Sequence, residues 1–296
     1  MGTPEIKGTS PISWISGILA DFLERSPHNS LTEGGGEKAW DSFLLGFSRG
    51  DDPLYSSFKE HVGSFHFTPE EIFSRTFPQR RVAPAELAVI CWVLPQRQIT
   101  KTENRKERFY PSERWARARI FGERANERLR ARLVEALMEA GHEAVAPVLS
   151  PLWERKTSER YGLASTWSER HAAFASGLGT FGLCDGLITP VGKAVRIGSV
   201  VARLEVAPTD RPYEDPRAYC LFYNGGGICG RCIERCPAGA LSERGHDKLR
   251  CMEHLWATRD YVQEHYGFKG YGCGLCQTGV PCESGVPTSE DVLNDS

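Results

Sequence analysis

No stretch of the 296 residues approaches the roughly 18 consecutive apolar residues that a membrane-spanning helix requires. Strong charge bias is also missing: 36 Lys and Arg face 38 Asp and Glu, and a net charge of -2 argues against a wholesale polyanion binder. The opening stretch MGTPEIKGTSPISWISGILADF has one early lysine, an amphipathic body and no small-residue cleavage site, so no secretion signal is expected there. Ile6 stands where a myristoylation signal needs Ser or Thr. A cytoplasmic protein that does not cross a membrane is therefore expected. No internal repeat of fixed period is present, and aspartate is absent between Asp52 and Asp185. Cysteine is nearly absent from the first 219 residues, where only Cys91 and Cys184 occur.

What is present divides the chain. Residues 1–86 are expected to form a helical region packed on the core, 87–207 an α+β cofactor and substrate domain, 208–287 a cysteine-rich domain and 288–296 a polar tail. The boundary falls near 207–219, where composition turns to Pro, Asp, Gly and Cys. Ser10 and Pro11 start a helix whose apolar face is Ile12, Ile15, Ile18, Leu19, Phe22 and Leu23. LAVICWVLP, from Leu87 to Pro95, predicts a buried strand. Residues 123–141 predict a helix on Leu129, Leu133 and Leu137, ended by Gly141 and followed by a strand in EAVAPVL. A strand pair is expected over 194–206, and only short helices over 40–81. Between Arg97 and Arg132, twelve Lys or Arg face five Glu. Such a strip reads as a mixed-sign helix face or as a basic rim for an anionic cofactor, nucleic acid or redox partner.

The other eight cysteines run Cys220, Cys229, Cys232, Cys236-Pro237, Cys251, Cys273, Cys276 and Cys282. Eight thiols suit two 4Fe-4S clusters, each needing four thiolates, and in two-cluster ferredoxins the cysteine before proline serves the other cluster. The expected sets are Cys220, Cys229, Cys232 and Cys282 for one cluster, and Cys236, Cys251, Cys273 and Cys276 for the other. A zinc ribbon on the pairs Cys229/Cys232 and Cys273/Cys276 leaves four cysteines unexplained. A disulfide framework suits neither the size of the chain nor its missing export signal. Cys91 and Cys184 read as small core residues. GLGTFG, Gly177 to Gly182, satisfies G-x-G-x-x-G, but a helix precedes it and extended chain follows, the reverse of a dinucleotide site. Its glycines are expected to admit a flat or bulky group against the backbone.

The segment ERHAAFASGLGTFGLCDGLITPVGKAVRIGSVVARLEV, followed by the paired cysteine motifs, resembles the epoxyqueuosine reductase family of iron-sulfur proteins. That family is related to cobalamin-dependent reductive dehalogenases. The resemblance spans roughly residues 87–282. It implies a nitroreductase-like α/β sandwich that holds cobalamin and a C-terminal ferredoxin-like domain passing single electrons to the cobalt. It also implies an external donor such as a ferredoxin or flavodoxin, and a small-molecule or modified-nucleoside substrate. Cofactor contacts would come from His171, Gly177, Gly179, Gly182, Lys193 and Arg196. Family members carry an aspartate, the proton donor, shortly before the pair matched by Glu169 and Arg170, and this chain has none there. Tyr161, Glu159, Glu154 and Glu169 are the candidate replacements. Many members continue into helical repeats associated with tRNA, whereas 14 residues follow Cys282 here, so tRNA ranks behind the other substrates. The alternative is an electron-transfer protein that reduces or reactivates a partner corrinoid enzyme.

Overall fold

A computed structural model describes residues 10–293; the leader and myristoylation readings of residues 1–9 lie outside them. Helix α1, Pro11–Arg25, starts on Ser10, whose hydroxyl accepts the Ser13 N–H, and buries Ile15, Leu19, Phe22 and Leu23. Ile12 faces solvent instead, one turn too early to reach the core. Within residues 40–81, β1 (Leu44–Arg49) precedes α2 (Pro53–Val62) and α3 (Pro69–Thr76). This strand corrects the purely helical expectation for the first 86 residues: its pattern is too short and mixed to read alone, and it forms by pairing antiparallel with β2, Leu87–Pro95.

Helices α4 (Gln98–Lys106) and α5 (Glu113–Arg117) lead through a π-helical turn, Ala118–Gly122, into α6, Glu123–Glu139. Gly122 fits under Trp40, whose indole N–H donates to the Gly122 carbonyl at 3.0 Å. Gly141 ends the helix at φ +86°. Of the expected strand EAVAPVL only β3, Ala144–Val145, is extended, because Pro147 opens a 3-10 turn. A hairpin, β4 (Arg155–Ser158) and β5 (Gly162–Ser165), precedes α7, Glu169–Ala175, and the short pair β6 (Thr180–Phe181) and β7 (Leu187–Ile188). The expected strand pair over 194–206 is one strand, β8, Val195–Arg203. Gly198 lies mid-strand opposite Trp92, where any side chain would strike the indole.

The sheet order is β1-β2-β8-β3, with antiparallel neighbours throughout. Alternate residues of β2 divide the core. Ile90, Trp92 and Leu94 pack with α1 and α6. Val89, Cys91 and Val93 pack with α2, α3 and α7. Both faces are covered by helices, which is why β2 is apolar along its length. Beyond β8 come α8 (Leu221–Asn224), α9 (Arg231–Glu234), the pair β9 (Leu241–Ser242) and β10 (Gly245–His246), α10 (Lys248–Tyr266) and α11 (Ser289–Leu293). No helix among the described residues is long and apolar enough to cross a membrane.

Candidate metal centre

The chain between β8 and α8 is held firmly against the sheet domain. Thr209 and Phe47 exchange two 2.9 Å hydrogen bonds, and the Tyr213 hydroxyl donates to Phe174 O at 2.9 Å while accepting the Gly179 N–H at 3.1 Å. The cysteine-rich segments then fold back. Arg235 donates to the carbonyls of Thr278, Leu275, Glu107 and Asn104, joining the first cysteine segment to the last and to α4. Asn104, fully buried, donates to Cys273 O and Thr278 and accepts from Ser112 N–H.

Cys220, Cys229, Cys232 and Cys282 line one pocket with Gly182, Leu183, Ile188, Lys193 and Val280. Beyond it, burial pushes the Cys273 thiol up to about 12, and Cys251 and Cys236 add to the rise, so these three share a neighbourhood. Cys276 stands between the groups: hydrogen bonding with Cys184 and burial raise its pKa, and Cys273 acts on it as well. Cys184 is buried in one small core with Cys232 and Cys276, one thiol from each expected set. It is a small core residue, as its sequence context implies, and the β6–β7 turn carries it.

No group of three or more His, Cys, Asp or Glu among the described residues converges in the way one metal ion requires. Four thiols spread around an apolar pocket fit a larger object, a cubane whose ligands stand at the corners of a wide tetrahedron. The donor set is all sulfur, the walls are mostly apolar, and the Ala240 N–H donates to Cys236 Sγ at 3.3 Å, as backbone amides do around cluster thiolates. The residues fit iron-sulfur clusters.

The residues implied as cobalamin contacts have several different surroundings. A side chain at Gly177 would strike Asp210 O and one at Gly179 would strike Ile188 O, so the protein's own backbone fills the space where a β-carbon would point. On that face these glycines let chain pack on chain. Gly182 lines the cysteine pocket, as does Lys193. His171 lies among Phe58, Phe181 and His66, with Nδ1 2.8 Å from Ser168 Oγ, and burial holds its pKa well below the ordinary value. Arg196 stands 3.7 Å from Glu123 with a buried Nε that has no hydrogen-bond partner; burial, Arg119 and Arg170 lower its pKa to about 10.

The candidate acids are also separate. Glu169 accepts from buried Arg130 at 2.9 Å and from the Ser199 hydroxyl, and burial raises its pKa against the pull of Arg130. Tyr161 is exposed on the β4–β5 turn, with the Lys248 ammonium 5.6 Å from its ring; Glu159 is exposed beside it, and Glu154 pairs with Lys156. Sequence reasoning missed Asp185, the one described non-glycine residue at positive φ (58°). Its carboxylate lies 3.2 Å from His246 Nδ1 and 3.7 Å from Lys248. Burial opposes protonation of His246, but Asp185 and Cys251 outweigh it and raise its pKa to about 9.

The basic strip is largely consumed internally. Arg97 and Arg114 pair with Glu37, Arg105 with Glu283, and Arg130 with Glu123 and Glu169. Lys101 reaches Ser284 and Arg119 the Tyr271 hydroxyl, so much of the strip is the seam against the cysteine-rich region.

No protein-family model matches the chain. Over 125 residues it is 34% identical to epoxyqueuosine reductase from Bacillus anthracis, covering 40% of this chain and 30% of that one. A second match, over 130 residues, is 29% identical to epoxyqueuosine reductase from Staphylococcus aureus, covering 42% and 32%. The chain is a distant homologue of epoxyqueuosine reductases. The matches to this homologue span about a third of the length of those curated relatives. Among solved structures, epoxyqueuosine reductase from Streptococcus thermophilus aligns at a TM-score of 0.48 and 15% identity, over 93% of this chain and 66% of that one. A reductive dehalogenase aligns at 0.48 and 14%, over 85% and 31%.

Proposed function

We propose that the protein is an iron-sulfur oxidoreductase that relays single electrons through two 4Fe-4S clusters. Cys220, Cys229, Cys232 and Cys282 hold one, and Cys236, Cys251, Cys273 and Cys276 hold the other. The observation that carries the proposal is the set of four thiols around one apolar pocket, with Cys184 in the same small core as Cys232 and Cys276. Such clusters take up and release one electron at a time. The protein's own part is to bury the thiols, keep water from them and fix the distance between the sets through Arg235 and Asn104.

Two readings of the electron acceptor have support. Homology to epoxyqueuosine reductases supports an enzyme that reduces an organic substrate, either a small molecule or a modified nucleoside, with help from a cobalamin-like cofactor. The closed turn at Gly177 and Gly179 supports a carrier that delivers electrons to a partner protein.

Anaerobic reconstitution with iron and sulfide, followed by cobalamin titration, tests both readings. Roughly eight irons per chain are expected from two cubanes. Fewer than about four would overturn the proposal. Stoichiometric cobalamin binding would select the enzyme and its absence the carrier, while epoxyqueuosine accumulating in tRNA of a deletion strain would make tRNA the substrate.

A further inference from the structure

Lys193 enters the cysteine pocket because the turn before it is pressed against the last cysteine segment. Gly192, at φ +88°, lies against the backbone of Glu283 and Ser284, where a side chain could not fit. The Lys193 N–H donates to Cys282 O at 2.8 Å and the Ala194 N–H to Glu283 O at 3.3 Å. The Lys193 stem runs along Gly186, where a Cβ would stand 3.0 Å from its Cγ and Cδ. The residue is only 3% exposed. Nearby carboxylates are engaged elsewhere, Glu283 by Arg105 and Asp185 by His246 and Lys248. Lys193 lines the same pocket as Cys220, Cys229, Cys232 and Cys282.

An ammonium taken out of water requires an anion nearby. A cluster with four thiolate ligands is such an anion, and it gains a further negative charge when reduced. A fixed cation in a medium of low dielectric therefore stabilises the reduced state more than the oxidised one. We propose that Lys193 is the positive charge that raises the reduction potential of the cluster held by Cys220, Cys229, Cys232 and Cys282, making it the electron-accepting member of the pair. This rests on the two-cluster reading above. Lys193 is a positioning charge, not a ligand.

The test is a redox titration of the reconstituted full chain, followed by electron paramagnetic resonance, for the native protein, Lys193→Met and Lys193→Arg. Iron content is measured on each. Both clusters assembled in Lys193→Met, with one midpoint shifted clearly downward and the other moved less, is the expected result; Lys193→Arg should titrate close to the native protein. Unchanged midpoints in Lys193→Met would overturn the inference. If Lys193→Met loses one cluster while Lys193→Arg keeps both, the charge is required and the inference stands. Loss in both variants would show that shape, not charge, matters, and would overturn it. Absence of iron from the native protein would instead refute the two-cluster reading.

Discussion

His66 lies stacked on Trp167, with ring centroids 6.3 Å apart, and edge-on to Phe58 and His171; both of its nitrogens are buried without a partner. Burial lowers its pKa to about 4, with Lys59 pushing the same way and Glu71 opposing. The native state then binds fewer protons than the unfolded chain between about pH 6.5 and pH 4. Stability is complete above pH 6.5 and falls as pH drops through that window, by up to about 3 kcal/mol from this group. In His66→Leu the fall should shrink by that amount, the remainder coming from groups such as His171. Urea midpoints measured from pH 7 to pH 4 decide it: parallel curves for the two proteins would rule out the assignment. Asp185 teaches a different lesson at the same scale. Strained at positive φ, it holds His246 and Lys248 next to Cys251, and nothing in the residues around it foretells those partners.

The segment from α7 through β7 shows how an element can match a motif and still mean something else. GLGTFG follows a helix, as the sequence suggests, but its first two glycines serve close approach of backbone to backbone. Gly179→Ala forces a β-carbon onto Ile188 O at a φ of +153°, so a loss of more than about 2 kcal/mol is expected. Thermal unfolding of the purified variant tests this, and a variant as stable as the native protein would show that the β6–β7 turn yields easily. The same change is expected to leave cluster assembly intact once the protein is folded, because Gly179 is not among the residues lining the cysteine pocket. Equally informative is the run from α4 to α6, where a strip of positive charge is spent on Glu37, Glu103, Glu123, Glu169 and Glu283. It is a seam between parts of the chain.

Across the whole molecule, two kinds of cohesion meet. The four-stranded sheet is held by apolar cores on both faces, whereas the cysteine-rich region has a small core that consists partly of its own thiols. In a region built this way, metal binding and folding are linked. Removing iron with a chelator should raise amide exchange strongly over residues 220–282 while β2 and β8 stay protected, which hydrogen-exchange mass spectrometry can read. Equal loss in both regions would mean that the sheet also depends on the clusters; no loss in either would mean that Arg235, Asn104 and the seam suffice.

Local signals in the sequence determined α1, β2 and α6, since a capped amphipathic period or an unbroken apolar run acts within one element. The cysteine spacing likewise marked the thiols of the proposed clusters, since Cys229, Cys232 and Cys236 fall within one short stretch. Tertiary structure alone decided the rest. Strand β1 exists only through its partner, and β8 is continuous because Gly198 makes room for Trp92. Lys193 entered the pocket because the turn at Gly192 presses against a segment about 90 residues further along the chain. Electrostatic and steric partners so distant in sequence leave no pattern in it, for their meeting depends on how the layers pack.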